Sequence, residues 1–265
     1  MGMIDLVPQW MAAIGSGGLV GFALGLIGGG GSILATPLLL YVVGVSQPHI
    51  AIGTSALAVS INAYVNLISH ARKGHVWWRC AFVFAGAGTL GALGGSTLGK
   101  SFDGESLLFL FSLLMLIVAA FMMKPRKLVL EGGGKIDRVT CMKTGAIAVL
   151  AGAASGFFGI GGGFLIVPAL IFATGMPMIN AVGSSLFAVG TFGLATALNY
   201  AASGLVDWQI AAEFIGGGII GGIGGMLLAT RFAKTRNLLN RIFAGVIVVV
   251  AMYMLYRSGL SFGWF

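Results

Sequence analysis

The sequence predicts an all-α polytopic membrane protein with two related halves. Hydrophobic residues make up 58% and charged residues only 8% of its 265 residues, whereas charged residues make up about 25% of an ordinary soluble domain. Long apolar stretches recur along the chain, and several reach the ~20 residues that a helix needs to cross a bilayer. Two glycine-rich runs, residues 28–31 and 159–163, interrupt these stretches at matching points.

Ten apolar segments follow one another along the chain. The first follows a start that contains Asp5 but no Lys or Arg, so we expect it to be retained rather than cleaved as a signal peptide. The segments directly after the glycine runs are too short for a comfortable span, and we expect short or re-entrant helices there. The ten segments cover residues 9–27, 33–45, 50–69, 77–99, 106–123, 144–158, 164–175, 181–201, 208–230 and 238–256.

The second half of the chain repeats the first. We divide the chain into an N-terminal repeat (1–123), a cytoplasmic linker (124–141) and a C-terminal repeat (142–265). Shared membrane composition is the alternative explanation, but the matches continue over roughly eighty residues. A shift of 131 positions, or 130 after a one-residue gap, places Gly21, Gly25, Gly30, Pro37, Gly53, Ser55, Gly74, Trp78 and Gly91 on Gly152, Gly156, Gly161, Pro168, Gly183, Ser185, Gly204, Trp208 and Gly221.

Basic residues indicate that the two halves have opposite orientations. Cytoplasmic loops carry an excess of Lys and Arg. The loop near Gly74 is basic, whereas its repeat mate near Gly204 contains Asp207 and no basic residue. If each half makes five passes, every basic residue except Lys100 and Arg257 is cytoplasmic, and both termini lie outside. Such inverted-topology repeats are common in secondary transporters.

The glycine runs and nearby small polar residues are the predicted anion-binding site. Backbone N–H groups at a helix start favour an anion, and glycine lets a ligand approach the backbone. A helix break without ligand contact is the alternative. Neither run continues into Gly-Lys-Ser/Thr, so a Walker-type nucleotide loop is unsupported. The predicted substrate-binding residues are Gly28, Gly29, Gly30, Gly31, Ser32, Thr54, Ser55, Gly159, Gly161, Gly162, Gly163, Ser184 and Ser185.

A few further polar residues lie within the apolar segments. Asn62, Asn66 and Asn199 are candidates for lining a pore, although their amides can also join helices. Glu213 is the only acid inside a predicted span and is a candidate for proton coupling, with an interfacial position as the alternative.

Other classes of function have little support in the sequence. Cys80 and Cys141 are too few for a disulfide framework or a metal cluster, and we expect no metal or other cofactor. The net charge of +8 is spread over short loops, which argues against nucleic acid and for a lipid bilayer. No nucleophile with a base is visible, so we expect no enzyme. A membrane scaffold remains an alternative, and the oligomeric state is open.

The duplicated motif resembles the TauE/SafE family. It runs through residues 25–32, Pro37 and residues 51–55, and returns in residues 156–163, Pro168 and residues 181–185. The resemblance extends over residues 18–254. It implies a permease for sulfite or another small sulfur-containing anion, such as an organosulfonate, with export favoured. Ile160 replaces a glycine of the first run, so the two halves of the site are expected to differ.

Opposite orientation of the halves predicts opposite accessibility of equivalent loops. A cysteine placed at Gly74 should react with a membrane-impermeant thiol reagent from the cytoplasmic side, and one at Gly204 from the outer side. Labelling of both from one side would contradict the inverted arrangement.

Overall fold

The chain folds as a bundle of helices. A computed structural model describes residues 8–27, 29–123, 138–159, 163–231 and 236–261, and these residues form α-helices, one 3₁₀ helix and short connections, with no strand. The helices are α1 (Gln9–Ile27), the 3₁₀ helix (Gly29–Leu34), α2 (Ala35–Tyr41), α3 (Pro48–Arg72), α4 (Trp78–Ser101), α5 (Gly104–Met123), α6 (Arg138–Phe158), α7 (Gly163–Thr174), α8 (Met178–Ala201), α9 (Trp208–Arg231) and α10 (Arg236–Ser261).

The helix lengths confirm the predicted class of polytopic membrane protein. Among the described residues, six helices are long and apolar enough to cross a membrane, namely α1, α3, α4, α8, α9 and α10. Shorter apolar stretches lie in α2, α5 and α6. Residues 124–137 of the predicted linker lie outside the described residues, and α6 begins at Arg138.

The segment after the first glycine run turns back along α1. Gln9 Nε2, at the start of α1, donates a hydrogen bond to the Val43 carbonyl just beyond α2, at 3.3 Å. The apolar segment predicted from residue 33 begins earlier as a helix, because Gly29–Leu34 forms a 3₁₀ helix and α2 follows from Ala35. This turn has no room for a side chain at Gly31, since a Cβ there would lie 2.5 Å from the Leu24 backbone nitrogen.

The principal helix pairs join the two halves. In the described structure, α1 packs mainly on α9, and its repeat mate α6 packs mainly on α4. The third helices of the two halves, α3 and α8, pack on each other, as do the fifth helices, α5 and α10. Each half therefore buries its helices against the other half and not within a separate core.

Glycines bring the paired helices into backbone contact. A Cβ built on Gly21 of α1 would overlap the carbonyl group of Gly218 on α9, and one on Gly152 of α6 would overlap that of Gly88 on α4. Without a hydrophobic force between helices in lipid, small residues allow the close van der Waals contact that holds them together. We call these two interfaces, α1 with α9 and α4 with α6, the glycine seams.

The seams predict opposite effects of two Gly→Ala substitutions. Gly21→Ala should lower the free energy of unfolding by about 1–3 kcal/mol, because its methyl group has no room. The control Gly94→Ala lies within α4, where a Cβ meets nothing within 4 Å, so it should leave stability equal or raise it by up to about 1 kcal/mol. Thermal unfolding in detergent measures both, and an unchanged Gly21→Ala protein would contradict the seam.

Candidate functional site

The segments that follow the two glycine runs meet inside the bundle. The 3₁₀ helix, which contains Gly29, Gly30 and Gly31, packs against α7, which begins at Gly163. Gly28, Gly161 and Gly162 lie outside the described residues. Of the predicted residues at this contact, Gly31, Ser32 and Gly163 are buried.

The beginning of the second run lies against α3 of the other half. Gly159 has a φ of +65°, in the left-handed region where a side chain is strained. A Cβ there would also overlap Cγ2 of Ile52. Glycine is therefore required twice at this position, by its backbone angle and by its neighbour.

Ser55 joins three parts of the fold at this point. Its Oγ lies 2.9 Å from Thr36 Oγ1 of α2, 2.9 Å from the Ile52 carbonyl oxygen and 3.5 Å from the Gly159 carbonyl oxygen. A serine hydroxyl carries a single proton, so it can satisfy only one of these acceptors at a time. We call Thr36, Ile52, Ser55 and Gly159 the junction.

Thr36 is a polar residue of the junction that sequence reasoning missed. Its repeat mate is Val167, so the internal repeat gave no signal for it. Thr36 is buried, and its hydroxyl group reaches the site only because α2 folds back along α1. A threonine in a short apolar helix carries no local mark of such a role.

Thr54 and Ser184 bind the backbone of the opposite half. The Thr54 hydroxyl accepts a hydrogen bond from the Asp207 N–H at 3.0 Å, and Ser184 accepts one from the Trp77 N–H at 2.9 Å. Asp207 and Trp77 directly precede α9 and α4. The two hydroxyl groups therefore position the starts of these helices. Each oxygen atom is used as an acceptor, and each hydroxyl proton can still be donated.

Ser185, the repeat mate of Ser55, has a different environment. It donates to the Val182 carbonyl of its own helix at 2.8 Å. Ser55 makes the same local bond to Ile52 but also contacts Thr36 and the Gly159 carbonyl. Among the described residues, the two serines therefore differ in their hydroxyl neighbour, because Val167 stands at the position equivalent to Thr36.

The three candidate asparagines differ in their partners. Asn62 lies near the middle of α3, is fully buried against Gly218, and has no hydrogen-bond partner for either side-chain atom in the described structure. The Asn66 side chain donates a hydrogen bond to the backbone carbonyl of Asn62 at 2.9 Å. Asn199 donates to Ser96 at 2.6 Å and accepts from Lys100 at 2.8 Å. Asn199 thus links α8 to α4, whereas Asn62 has unused polar capacity.

Charged groups lie near the ends of the described helices. Glu213, in the second turn of α9, is half-buried and accepts a hydrogen bond from Gln209 at 3.2 Å. Within the part of the chain that the structure describes, no group of His, Cys, Asp and Glu side chains could hold a metal ion. The junction therefore offers hydroxyl and backbone groups as its chemistry.

The bond between the halves at Thr54 predicts a loss of stability in Thr54→Val. The substitution leaves the Asp207 N–H without its acceptor, which should cost about 1–3 kcal/mol of unfolding free energy. Thr89→Val is the control, because in the described structure the Thr89 hydroxyl donates to the Ala85 carbonyl of its own helix, at 2.7 Å, and not to another helix. Denaturation of both purified variants in detergent measures the difference. Equal stability would show that the bond does not hold the start of α9.

Known proteins similar to this chain are membrane transporters by name. The profile of the family described as "Sulfite exporter TauE/SafE" matches residues 13–254. A "Probable membrane transporter protein" of Xylella fastidiosa (strain 9a5c) is 66% identical over 96% of this chain and 98% of its own length. The "Probable membrane transporter protein YunE" of Bacillus subtilis (strain 168) is 27% identical over 92% of this chain and 97% of its own. No solved structure matches the chain. Because the family profile matches most of its length, this integral membrane protein belongs to the TauE/SafE family.

Proposed function

We propose that the protein is a secondary transporter that moves a small sulfur-containing anion, sulfite or an organosulfonate, by alternating access, in the direction of export. Membership of the family and the names of its relatives support transport. The sulfur-containing anion follows the family description. The same relatives support the absence of an enzymatic reaction, since they are named as transporters.

The junction is the observation that carries this proposal. It brings Ser55 and Thr36 of one half against the glycine run of the other half. An oxyanion that enters there could accept hydrogen bonds from the two hydroxyl groups and from N–H groups beside the run. The Ser55 hydroxyl group has three neighbouring oxygen atoms and one proton. It can therefore turn from any one of them toward a ligand.

The exchange of helices between the halves supports alternating access. The junction lies between the halves, and both glycine seams cross from one half to the other. Rocking of one half against the other would open the junction to one side at a time, as in other transporters with inverted repeats. The exchanged pairing is the arrangement that a twofold axis between the halves would give.

The membrane potential can drive export. We place the protein in the bacterial inner membrane with both termini outside, as the basic loops indicate. An anion that leaves a negative interior gains about 2.3 kcal/mol per elementary charge for each 100 mV. Outward flow therefore needs no coupling ion, and Glu213 is a proton-coupling candidate only if transport proves to depend on pH.

Flux into proteoliposomes separates this proposal from an anion channel and from a membrane scaffold. Saturable counterflow of sulfite or methanesulfonate is the expected result. Conductance at channel rates would contradict alternating access, and no flux of any anion would favour the scaffold. Gly30→Val and Gly161→Val should abolish counterflow while membrane insertion persists.

The unequal serines give a matched test of the junction. Ser55→Ala should lower counterflow about tenfold or more, because an anion loses a hydroxyl donor whose hydrogen bond is worth about 1.5–3 kcal/mol. Ser185→Ala is the control of equal size at the equivalent position, and we expect a smaller loss because Val167 stands where Thr36 supplies a second hydroxyl group beside Ser55. Counterflow with equal amounts of reconstituted protein compares them. Equal activity of Ser55→Ala and the unmodified protein would remove Ser55 from the site.

A further inference from the structure

A cavity lined by polar and apolar residues opens at the end of the bundle where α3 and α5 begin and α10 ends. Its volume is about 780 Å³. The lining residues carry both signs of charge. Arg257 is basic, and Glu105 is one of the acidic residues. Ser46, Gln47 and His49 add polar groups from the connection that leads into α3. The cavity can therefore admit a hydrated, polar solute.

Tyr200 lies behind one wall of this cavity. The ring centre of His49, which lines the cavity, is 6.3 Å from that of Tyr200. Tyr200 is fully buried, and its hydroxyl group has no hydrogen-bond partner in the described structure. A buried hydroxyl group without a partner costs about 1–3 kcal/mol of stability. The mechanism proposed above makes no use of this group.

A layer of packed side chains runs from the cavity wall to the junction. Tyr200 packs in a small cluster with Ile52, and Phe158 at the end of α6 packs against the same cluster. Ile52 in turn lies against Gly159, and its carbonyl accepts the Ser55 hydrogen bond. Side-chain contacts therefore connect His49 to Tyr200, and the Tyr200 cluster to Gly159.

We propose that this cavity is the outer mouth of the anion path and that the Tyr200 hydroxyl binds the oxyanion before it leaves past His49. The inference rests on the proposed function and deepens it by assigning an outer exit and a further binding residue. A phenolic O–H is a donor suited to an oxyanion. The ligand would supply the partner that Tyr200 lacks, while the aromatic and aliphatic neighbours keep the layer closed when the site is empty.

Tyr200→Phe tests the binding residue, because it removes only the unpartnered hydroxyl. We expect the KM for sulfite counterflow to rise about tenfold, since hydrogen bonds to charged groups are among the stronger ones. The unfolding temperature should stay equal or rise, because no hydrogen bond between the described residues is lost. Tyr64→Phe is the matched control, since it removes a hydroxyl that contacts Thr191 at 3.2 Å. That variant should lose stability and keep its KM.

Glu105→Gln tests the outer mouth through charge. The substitution removes a negative charge from the cavity wall, so exchange of sulfite through the outer mouth should become faster at low ionic strength and converge with the unmodified protein at high salt. A rate unchanged by this substitution at every salt concentration would place the anion path elsewhere.

The outcomes distinguish this inference from the proposed function. If the unmodified protein transports sulfite and Tyr200→Phe retains its KM, the inference is wrong and the transporter stands. If sulfite neither crosses the membrane nor raises the unfolding temperature of the unmodified protein, the proposed function and the inference both fail. If sulfite raises that temperature in the unmodified protein but not in Tyr200→Phe, the binding role of Tyr200 is supported independently of flux.

Discussion

Close backbone contact between helices of opposite halves is the constraint on which the fold depends. In lipid, apolar side chains gain little by leaving their surroundings for one another, so helices associate through van der Waals contact and local polar bonds. Gly21 against Gly218 and Gly152 against Gly88 bring the helix backbones together. A larger side chain at any of these positions would push α1 from α9 or α6 from α4, and would also displace the third helices packed beside them.

The framework repeats, whereas the polar chemistry does not. Both seams need the same small residues because both need the same separation of helix axes. The side chains that press on the seams are free to differ. Asn62 lies against Gly218, and at the equivalent place Phe192 lies against Gly88. Thr36 likewise corresponds to Val167. At both of these positions the polar residue belongs to the first half, so the two halves differ in chemistry where they are alike in packing.

The sequence predicted what local patterns encode. Segment lengths follow from runs of apolar residues. The Gly-x-x-x-Gly spacing of Gly91 with Gly95, and of Gly221 with Gly225, is typical of the close helix contact that these glycines make. The hydrogen-bond partners of the polar side chains could not be predicted, because they depend on which helix of the other half lies opposite. Thr54 and Ser184 were predicted as ligands from their repeated position, yet the same repetition serves the bonds to Asp207 and Trp77. Tyr200 gave no signal, since a tyrosine near a helix end is ordinary in a membrane protein.

The exchange of partners also has a consequence for how the protein is made. Helix α1 is synthesised first, but α9, the surface it packs on, is among the last parts of the chain to emerge. During this interval the glycine face of α1 must be covered by lipid or by a component of the insertion machinery. The first half therefore lies in the bilayer as an incompletely packed intermediate. Its final packing becomes possible only after α9 has been translated.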